Sequence, residues 1–273
     1  MKPSTIGIAG FGTMGRALTI LFLRKGWKVI VWNRQPSRFE DIGSVLTQFK
    51  ESRQLTLTTS LKDLLPADFI LETIVEKLLE KRALFEKLDG LMPSKTLFMS
   101  NTSSLSIGSL ASATRRPERV IGLHFVNPPQ FIPIVEVIAH PLLSQQTLET
   151  TLELARQLGK HHVVSADSPG FIINRVLMPL INEAGYVAGE KLGDPARIDF
   201  IARSAFNWPM GPLAMADFVG LDVCLDIITY LHEQGVCRAP NDLLKNLVRT
   251  GCLGRKTGCG FHEYRTKSVK GKP

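Results

Sequence analysis

The sequence predicts an α/β protein with a doubly wound parallel sheet in its N-terminal part and an all-helical C-terminal part. Two observations support this prediction. Short apolar runs alternate with helical patterns up to about residue 166, and strand patterns nearly vanish beyond it. The 273 residues suffice for two domains with separate cores. We therefore expect a sheet domain over residues 1–166 and a helical domain over residues 167–273.

The individual strands and helices are predicted from the period of the apolar residues. The predicted strands are residues 5–9, 28–32, 56–59, 68–71, 97–100 and 120–125, and the predicted helices are residues 13–25, 75–88, 171–190, 194–206 and 212–232. Ser60 is expected to cap a helix. In the helix over residues 75–88, we expect the charged side chains of residues 76, 77, 80 and 81 on the exposed side.

Composition and charge limit the class of protein. Hydrophobic residues make up 44% and charged residues 21% of the chain, a balance typical of globular proteins. No apolar run reaches the roughly 18 residues of a membrane span, and the N-terminus lacks the features of a signal peptide. We therefore expect a cytoplasmic protein. The net charge of +8 lies mostly after residue 248, where no nucleic-acid-binding motif occurs, so we expect a solvated tail or a phosphate-bearing small ligand.

All four cysteines lie in the C-terminal fifth of the chain, at Cys224, Cys237, Cys252 and Cys259. They form no Cys-x-x-Cys pair, and no histidine pattern completes a zinc site. We expect reduced thiols and no metal site.

A glycine-rich turn follows the first predicted strand and opens the first predicted helix. It reads Gly10-Phe11-Gly12-Thr13-Met14-Gly15. Gly10 permits the tight turn, Gly12 lets the backbone approach a pyrophosphate, and Gly15 lets helix and strand pack closely. The backbone amides of the first helical turn, from Thr13 and Met14 onward, favour the phosphate charge. The turn therefore predicts a Rossmann-type domain that binds a dinucleotide.

The end of the second strand bears on which dinucleotide binds. NAD-selective domains usually carry Asp or Glu there, because the carboxylate accepts hydrogen bonds from the ribose. This chain has Asn33, which does not repel a phosphate, and Arg34, which can pair with one. The pattern favours NADP over NAD. The alternative is that Arg34 is solvated and that Asn33 serves the ribose of NAD.

A histidine and a glutamate lie in two neighbouring apolar strands, His124 in residues 120–125 and Glu136 in residues 134–137. A buried carboxylate is costly unless it is paired. If the turn between the strands brings the two together, the glutamate fixes the tautomer of the histidine, which can then act as a base. Oxidation of a hydroxyl group with hydride transfer to nicotinamide needs such a base. The sequence leaves the strand register open, and a structural core histidine is the alternative.

Many blocks, in one order over nearly the whole chain, resemble the L-3-hydroxyacyl-CoA dehydrogenase family, which includes 3-hydroxybutyryl-CoA dehydrogenases. The blocks are residues 10–15, 72–76, 100–105, 123–128, 168–175, 210–212, 217–222 and 254–261. The resemblance implies a place in fatty acid metabolism and the interconversion of a (3S)-3-hydroxyacyl thioester and a 3-oxoacyl thioester.

The resemblance also implies roles at the matching positions. His124 matches the catalytic base and Glu136 its partner, while Ser103 and Asn174 match polar residues that contact the substrate. The positions that match dinucleotide contacts are Glu76, Lys81, Ser103, Asn127 and Lys256. Without the resemblance, Glu76 and Lys81 would be ordinary exposed helix charges. Ser103 would cap a helix, and Asn174 would bond to backbone in its own helix.

Two departures from the family pattern leave alternatives open. Where the family usually has an acid, this chain has Asn33. This difference leaves NAD and NADP as alternative cofactors. The stretch between Arg34 and Asp68 is shorter than is usual in the family, in which a longer helical segment acts as a clamp that helps to hold CoA. Part of that clamp is missing in this chain. A shortened clamp also suits an acyl group on a carrier protein or a free hydroxy acid.

We therefore expect a dehydrogenase that uses NAD or NADP and acts on an acyl-CoA or acyl-carrier thioester. The alternatives are the same fold acting on a free hydroxy acid, and a dinucleotide-binding protein without catalysis. The helical domain is expected to bind substrate and to form a homodimer, from the resemblance and from apolar helices such as residues 219–231. We expect neither a nucleic-acid nor a membrane partner.

Overall fold

A computed structural model gives the structure of residues 5–40 and 42–264. The chain divides into two units between Phe171 and Ile172, a few residues after the boundary expected at 166. The first unit contains one eight-stranded sheet. Its strands are β1 (Thr5–Ala9), β2 (Lys28–Trp32), β3 (Leu55–Thr58), β4 (Phe69–Glu72), β5 (Leu97–Ser100), β6 (Val120–Phe125), β7 (Ile134–Ala139) and β8 (His161–Ala166).

The strand order is β3-β2-β1-β4-β5-β6-β7-β8. All neighbouring strands are parallel except β6 and β7, which are antiparallel. The doubly wound α/β fold predicted from the sequence is confirmed. Because β1, β4, β5 and β6 are parallel, their carboxyl ends lie along one edge of the sheet, where ligands of such folds bind.

Helices cover both faces of this sheet. They are α1 (Thr13–Arg24), α2 (Gly43–Glu51), α3 (Leu78–Leu91), α4 (Ile107–Ala111) and α5 (Gln145–Gln157). Side chains of α1 and α5 pack into one apolar cluster, and side chains of α3 and α4 pack into another. Successive residues of β4 alternate between the clusters, Ile70 in one and Leu71 in the other, which explains why the strand is apolar throughout.

The second unit is helical in its described part. Its helices are α6 (Ile173–Gly189), α7 (Pro195–Ala205), α8 (Pro212–Val219), α9 (Leu221–Glu233) and α10 (Asp242–Arg249). They share one apolar core, to which Met178 of α6, Leu213 of α8 and Ile228 of α9 contribute. Within the described residues of both units, no helix is long and apolar enough to cross a bilayer.

Several predicted elements were wrong in detail. The helix expected over residues 212–232 is two helices, because Gly220 has a φ of 107° and interrupts the turn. The helix expected from residue 75 starts at Leu78, and Ser60 precedes a 3-10 helix without a side-chain capping bond. The helices α2, α4, α5 and α10 and the edge strand β8 were missed. The elements α2, α4, α10 and β8 are short, and α5 is predominantly polar.

The expectation of four reduced thiols was also wrong. Cys252 and Cys259 form a disulfide with a Cα–Cα distance of 4.8 Å. The chain reverses between them, with an antiparallel bridge from Gly254 to Cys259, and this reversal brings the two cysteines together. Cys224 and Cys237 are free. In the described part of the chain, no group of His, Cys, Asp and Glu side chains is arranged to hold a metal ion.

Candidate active site

The glycine turn joins the end of β1 to the start of α1. Gly10 has a φ of 119°, and a Cβ there would lie 2.7 Å from the backbone of Thr73. A Cβ at Gly15 would lie 2.3 Å from the carbonyl oxygen of Gly10. A Cβ at Gly12, in contrast, would meet no atom within 4 Å. Gly10 and Gly15 are therefore required by packing, whereas Gly12 leaves open space in front of the helix.

That open space faces the first amides of α1. Gly12 is the N-cap residue and makes no side-chain capping bond, and the first turn contains no acidic side chain. These amides and the positive end of the helix dipole are suited to a phosphate group. The residues present therefore fit the pyrophosphate of a dinucleotide.

A cavity of about 460 Å³ extends from this turn to the end of β2. Its lining includes five basic or amide side chains and one acid, namely Asn33, Arg34, Gln35, Arg38, Lys87 and Glu80. Arg34 lies 3.7 Å from Glu80, and the Oδ1 of Asn33 accepts a hydrogen bond of 2.9 Å from the backbone N–H of Gln35. The amide group of Asn33 is therefore left as a hydrogen-bond donor.

His124 and Glu136 are direct partners across the antiparallel strands β6 and β7. The Nδ1 atom of His124 lies 2.8 Å from Oε2 of Glu136. Both side chains are buried, and Glu136 has only 1% of its surface exposed. A carboxylate can only accept at this distance, so Nδ1 carries the proton and Nε2 keeps a lone pair. The aromatic ring of Phe171 lies 5.9 Å from the imidazole.

A buried ion-pair network lies at the same edge. Lys81 has 1% of its side chain exposed and lies 2.5 Å from Oε1 of Glu72 and 3.2 Å from Oε2 of Glu76. The prediction that Lys81 lies on the exposed side of its helix was therefore wrong. Ser100 also donates to Glu72, at 2.6 Å. The sequence reasoning missed Glu72, although an acid at the end of an apolar strand is the signal that could have found it.

Glu76 is used within the protein. It accepts hydrogen bonds from the side chain of Thr102 and from the backbone N–H groups of Ser103 and Ser104. Burial alone would raise the pKa of Glu76, but Lys81 and these donors lower it below the ordinary 4.5. Glu76 therefore contributes stability above pH 4.5 that is lost as the pH falls through the lower folded pKa. Its contacts hold the loop that presents Ser103.

A second loop follows β6 and carries Asn127, whose peptide bond to Pro128 is cis. The buried Lys160 donates hydrogen bonds of 2.6 Å to the carbonyl oxygens of Pro129 and Ile132. Burial, together with the nearby charge of Lys25, lowers the pKa of Lys160. No sequence pattern pointed to Lys160, because its partners are backbone atoms of a distant loop.

The first unit thus brings together the glycine turn, Asn33, Glu76, Ser103 and the His124–Glu136 pair along one sheet edge. Two expected site residues, Asn174 and Lys256, belong to the second unit. Asn174 lies in the first turn of α6 and is buried. Lys256 lies in a 3-10 helix and forms an ion pair of 2.5 Å with Asp222.

A dinucleotide-binding turn next to a buried histidine–glutamate pair is typical of a dehydrogenase that uses a nicotinamide cofactor. Comparison with known families agrees with this class of protein. The model of the 3-hydroxyacyl-CoA dehydrogenase NAD binding domain matches residues 5–168, and the model of the C-terminal domain of the same family matches residues 170–264. The chain belongs to the 3-hydroxyacyl-CoA dehydrogenase family, as its motifs predicted.

Individual relatives match over nearly the full length. A probable 3-hydroxybutyryl-CoA dehydrogenase of Bacillus subtilis is 37% identical, with 98% of this chain and 100% of the relative covered. A 3-hydroxybutyryl-CoA dehydrogenase of Bradyrhizobium diazoefficiens is 37% identical, with 95% of each chain covered. The crystal structure of (S)-3-hydroxybutyryl-CoA dehydrogenase from Ralstonia eutropha matches with a TM-score of 0.87 and 33% identity, over 97% of this chain and 100% of that chain.

The buried network predicts a large effect of Lys81→Met on stability. The substitution removes the only lysine that contacts Glu72 in the described structure and leaves that carboxyl group buried without a positive partner. We expect the free energy of unfolding in urea to fall by about 3 kcal/mol. Lys77→Met is the matched control, because Lys77 is 73% exposed just before the same helix. Equal stability of the two variants would contradict the structural role of the network.

Proposed function

We propose that this protein interconverts a (3S)-3-hydroxyacyl thioester and a 3-oxoacyl thioester with a nicotinamide cofactor. The observation that carries the proposal is the buried hydrogen bond between His124 and Glu136 at the carboxyl edge of the sheet. The names of the relatives, which are 3-hydroxybutyryl-CoA dehydrogenases, support a short acyl-CoA as substrate.

In this mechanism, Nε2 of His124 removes the proton from the substrate hydroxyl group. A dinucleotide held at the Gly10–Gly15 turn would supply the hydride acceptor for the carbon that bears this hydroxyl group. Glu136 holds the imidazole in the required tautomer and stabilises the imidazolium as it forms. In the reverse direction, the imidazolium returns the proton to the carbonyl oxygen. We assign substrate contacts to Ser103 and Asn174, and cofactor contacts to Asn127 and Lys256, from the family resemblance.

The proposal predicts that the protein oxidises reduced cofactor in the presence of acetoacetyl-CoA and that His124→Gln lowers kcat by roughly 100- to 10,000-fold. The measurement is the loss of nicotinamide absorbance at saturating substrate. His140→Gln is the matched control, because His140 is also buried but bonds to backbone carbonyls of Pro117 and Val120, at the start of β6. We expect the control to retain most of the activity.

Three outcomes would redirect the assignment. Full activity of His124→Gln would exclude the histidine as the base. Faster turnover of a carrier-bound 3-oxoacyl group or of a free hydroxy acid than of acetoacetyl-CoA would favour the alternative substrates. Tight cofactor binding with no turnover of any of these compounds would favour a protein without catalysis.

We further propose that the preferred cofactor is NADP. Asn33 brings no negative charge to the end of β2, and its free hydrogen-bonding group is a donor. Arg34 and Arg38 line the same cavity, where their guanidinium groups suit a ribose 2′-phosphate. The ion pair between Arg34 and Glu80 is long and largely exposed, so it opposes phosphate binding only weakly.

This proposal predicts that Arg34→Gln lowers kcat/KM for NADPH by about 10-fold, because a charge-assisted hydrogen bond to phosphate is lost. The value for NADH is expected to change little. Arg24→Gln removes the same charge from the opposite end of α1 and is expected to alter neither value. A wild-type preference for NADH would show that NAD is the cofactor, and an equal loss with both cofactors would exclude Arg34 as the group that selects NADP.

We also propose that two copies of the chain associate through the second unit. Large apolar side chains are exposed there, including Val176 at 67%, Phe206 at 61%, Phe200 at 59% and Ile201 at 55%. Exposed apolar groups of this size often mark interfaces between proteins. The helices named in the sequence argument do not supply them, because Ile228 and Leu231 of α9 are buried in the core of their own unit.

The dimer proposal predicts that light scattering gives twice the mass of the chain for the wild type and a shift toward the monomer for Ile201→Glu. The control is Gln146→Glu, which adds the same charge to an exposed position of α5 and is expected to leave the mass unchanged. A wild-type monomer at all concentrations would exclude the dimer.

The cytoplasmic location expected from the sequence remains a prediction.

A further inference from the structure

The second unit contains a cavity that the proposed reaction does not use. Its volume is about 390 Å³, and it lies between α7, the start of α8 and the segment from Arg255 to Tyr264. Asp199, Arg203, Arg255, His262 and Tyr264 contribute polar side chains to its lining. None of these residues belongs to the set assigned to the cofactor or the thioester.

The carboxylate in the cavity wall is already satisfied by donors of the protein. Asp199 accepts hydrogen bonds from the backbone N–H groups of Leu213 and Ala214 at 2.9 and 2.8 Å. Its Oδ2 also lies 2.7 Å from Nε2 of His262. These two amides belong to the first turn of α8, so Asp199 takes the anion position at that helix N-terminus. The negative charge of Asp199 is therefore already balanced by donors of the protein, so this carboxylate is not suited to binding a cation.

A second carboxylate beside the cavity is satisfied in the same way. Asp217 accepts from the backbone N–H groups of Phe261 and His262, both at 2.9 Å, and from the hydroxyl group of Tyr264 at 3.0 Å. Burial and the charge of Asp217 raise the pKa of Tyr264, which therefore stays a phenol at neutral pH. The two carboxylates hold the cavity wall in place, and neither is directed to a ligand.

The two arginines of the cavity differ from these carboxylates, because their charges are not paired within the described structure. Across the described residues, neither Arg203 nor Arg255 has a carboxylate within ion-pairing distance. Arg255 lies over the rings of Phe218 and Tyr264, at 5.3 and 5.5 Å from their centres. This stacking uses the faces of the guanidinium group. A hydrogen bond with Tyr264 engages part of its edge, and the remaining N–H groups are available.

We propose that this cavity is a further binding site, for a small oxyanion (a carboxylate or a phosphate group) held by Arg203 and Arg255. Planar guanidinium groups bind such groups through two parallel hydrogen bonds. The phenol of Tyr264 closes one side of the site. The site takes either a free small anion or a phosphate group of CoA, because the recognising chemistry is the same.

The test is calorimetric titration of the whole protein, saturated with reduced cofactor, with inorganic phosphate, succinate and CoA in separate experiments. We expect at least one probe to bind, and the double variant Arg203→Gln/Arg255→Gln to weaken that binding by at least about 10-fold. Arg197→Gln is the matched control, because Arg197 lies on α7 but is exposed and paired with Asp194 at 3.4 Å. Its affinity is expected to equal that of the wild type.

The three probes distinguish the sources of the oxyanion. Loss of phosphate or succinate binding in the double variant identifies a site for a free anion, and loss confined to CoA identifies a contact with the substrate's phosphates. Arg255→Lys keeps the charge but lacks the fork, so we expect weakening in this variant as well. The proposal is overturned if no probe binds, if the double variant binds as the wild type does, or if Arg197→Gln weakens binding equally.

Discussion

The candidate active site depends on the antiparallel register between β6 and β7. This register places His124 directly opposite Glu136, so that their side chains leave the same face of the sheet. A shift of one residue would move one of the two side chains to the other face and leave a buried carboxylate without a partner. The pairing of β6 with β7 is also the point at which the strand direction reverses. The preceding strands in the sheet order, β3-β2-β1-β4-β5-β6, are all parallel to one another. The reversal lets two residues that are 12 positions apart form one hydrogen-bonded pair.

The loops around this pair are held by buried charges. Glu72 and Lys81 form the centre of one network, and through Glu76 this network fixes the loop with Ser103. Lys160 fixes the loop after Asn127 through two carbonyl oxygens. Each buried charge is costly unless its partners are complete. The cost makes the loop positions well defined, because any other arrangement would leave a charge unpaired.

The sequence predicted the fold class because long, periodic elements dominate it, as in β1, α1 and β2. It predicted the glycine turn because packing leaves little choice at Gly10 and Gly15. It could not predict the pairing of His124 with Glu136, since strand register depends on a turn whose geometry no short motif defines. Lys81 was misplaced for a similar reason: its period fits an exposed face, and only the distant Glu72 explains its burial. Long-range partners of this kind leave no local signal.

The dinucleotide cavity and the cavity of the second unit follow one electrostatic rule. In each, the acidic side chains are engaged by the protein itself: Glu80 by Arg34 at the dinucleotide cavity, and Asp199 by backbone amides in the second unit. In each, the lining also includes an arginine without a close carboxylate among the described residues, Arg38 in the first and Arg203 in the second. A chain with a formal charge of +8 has basic groups in excess, and two of them are placed where concave walls can enclose an anion. Phosphate-bearing ligands therefore suit both units, through the helix dipole of α1 in one and through guanidinium groups in the other.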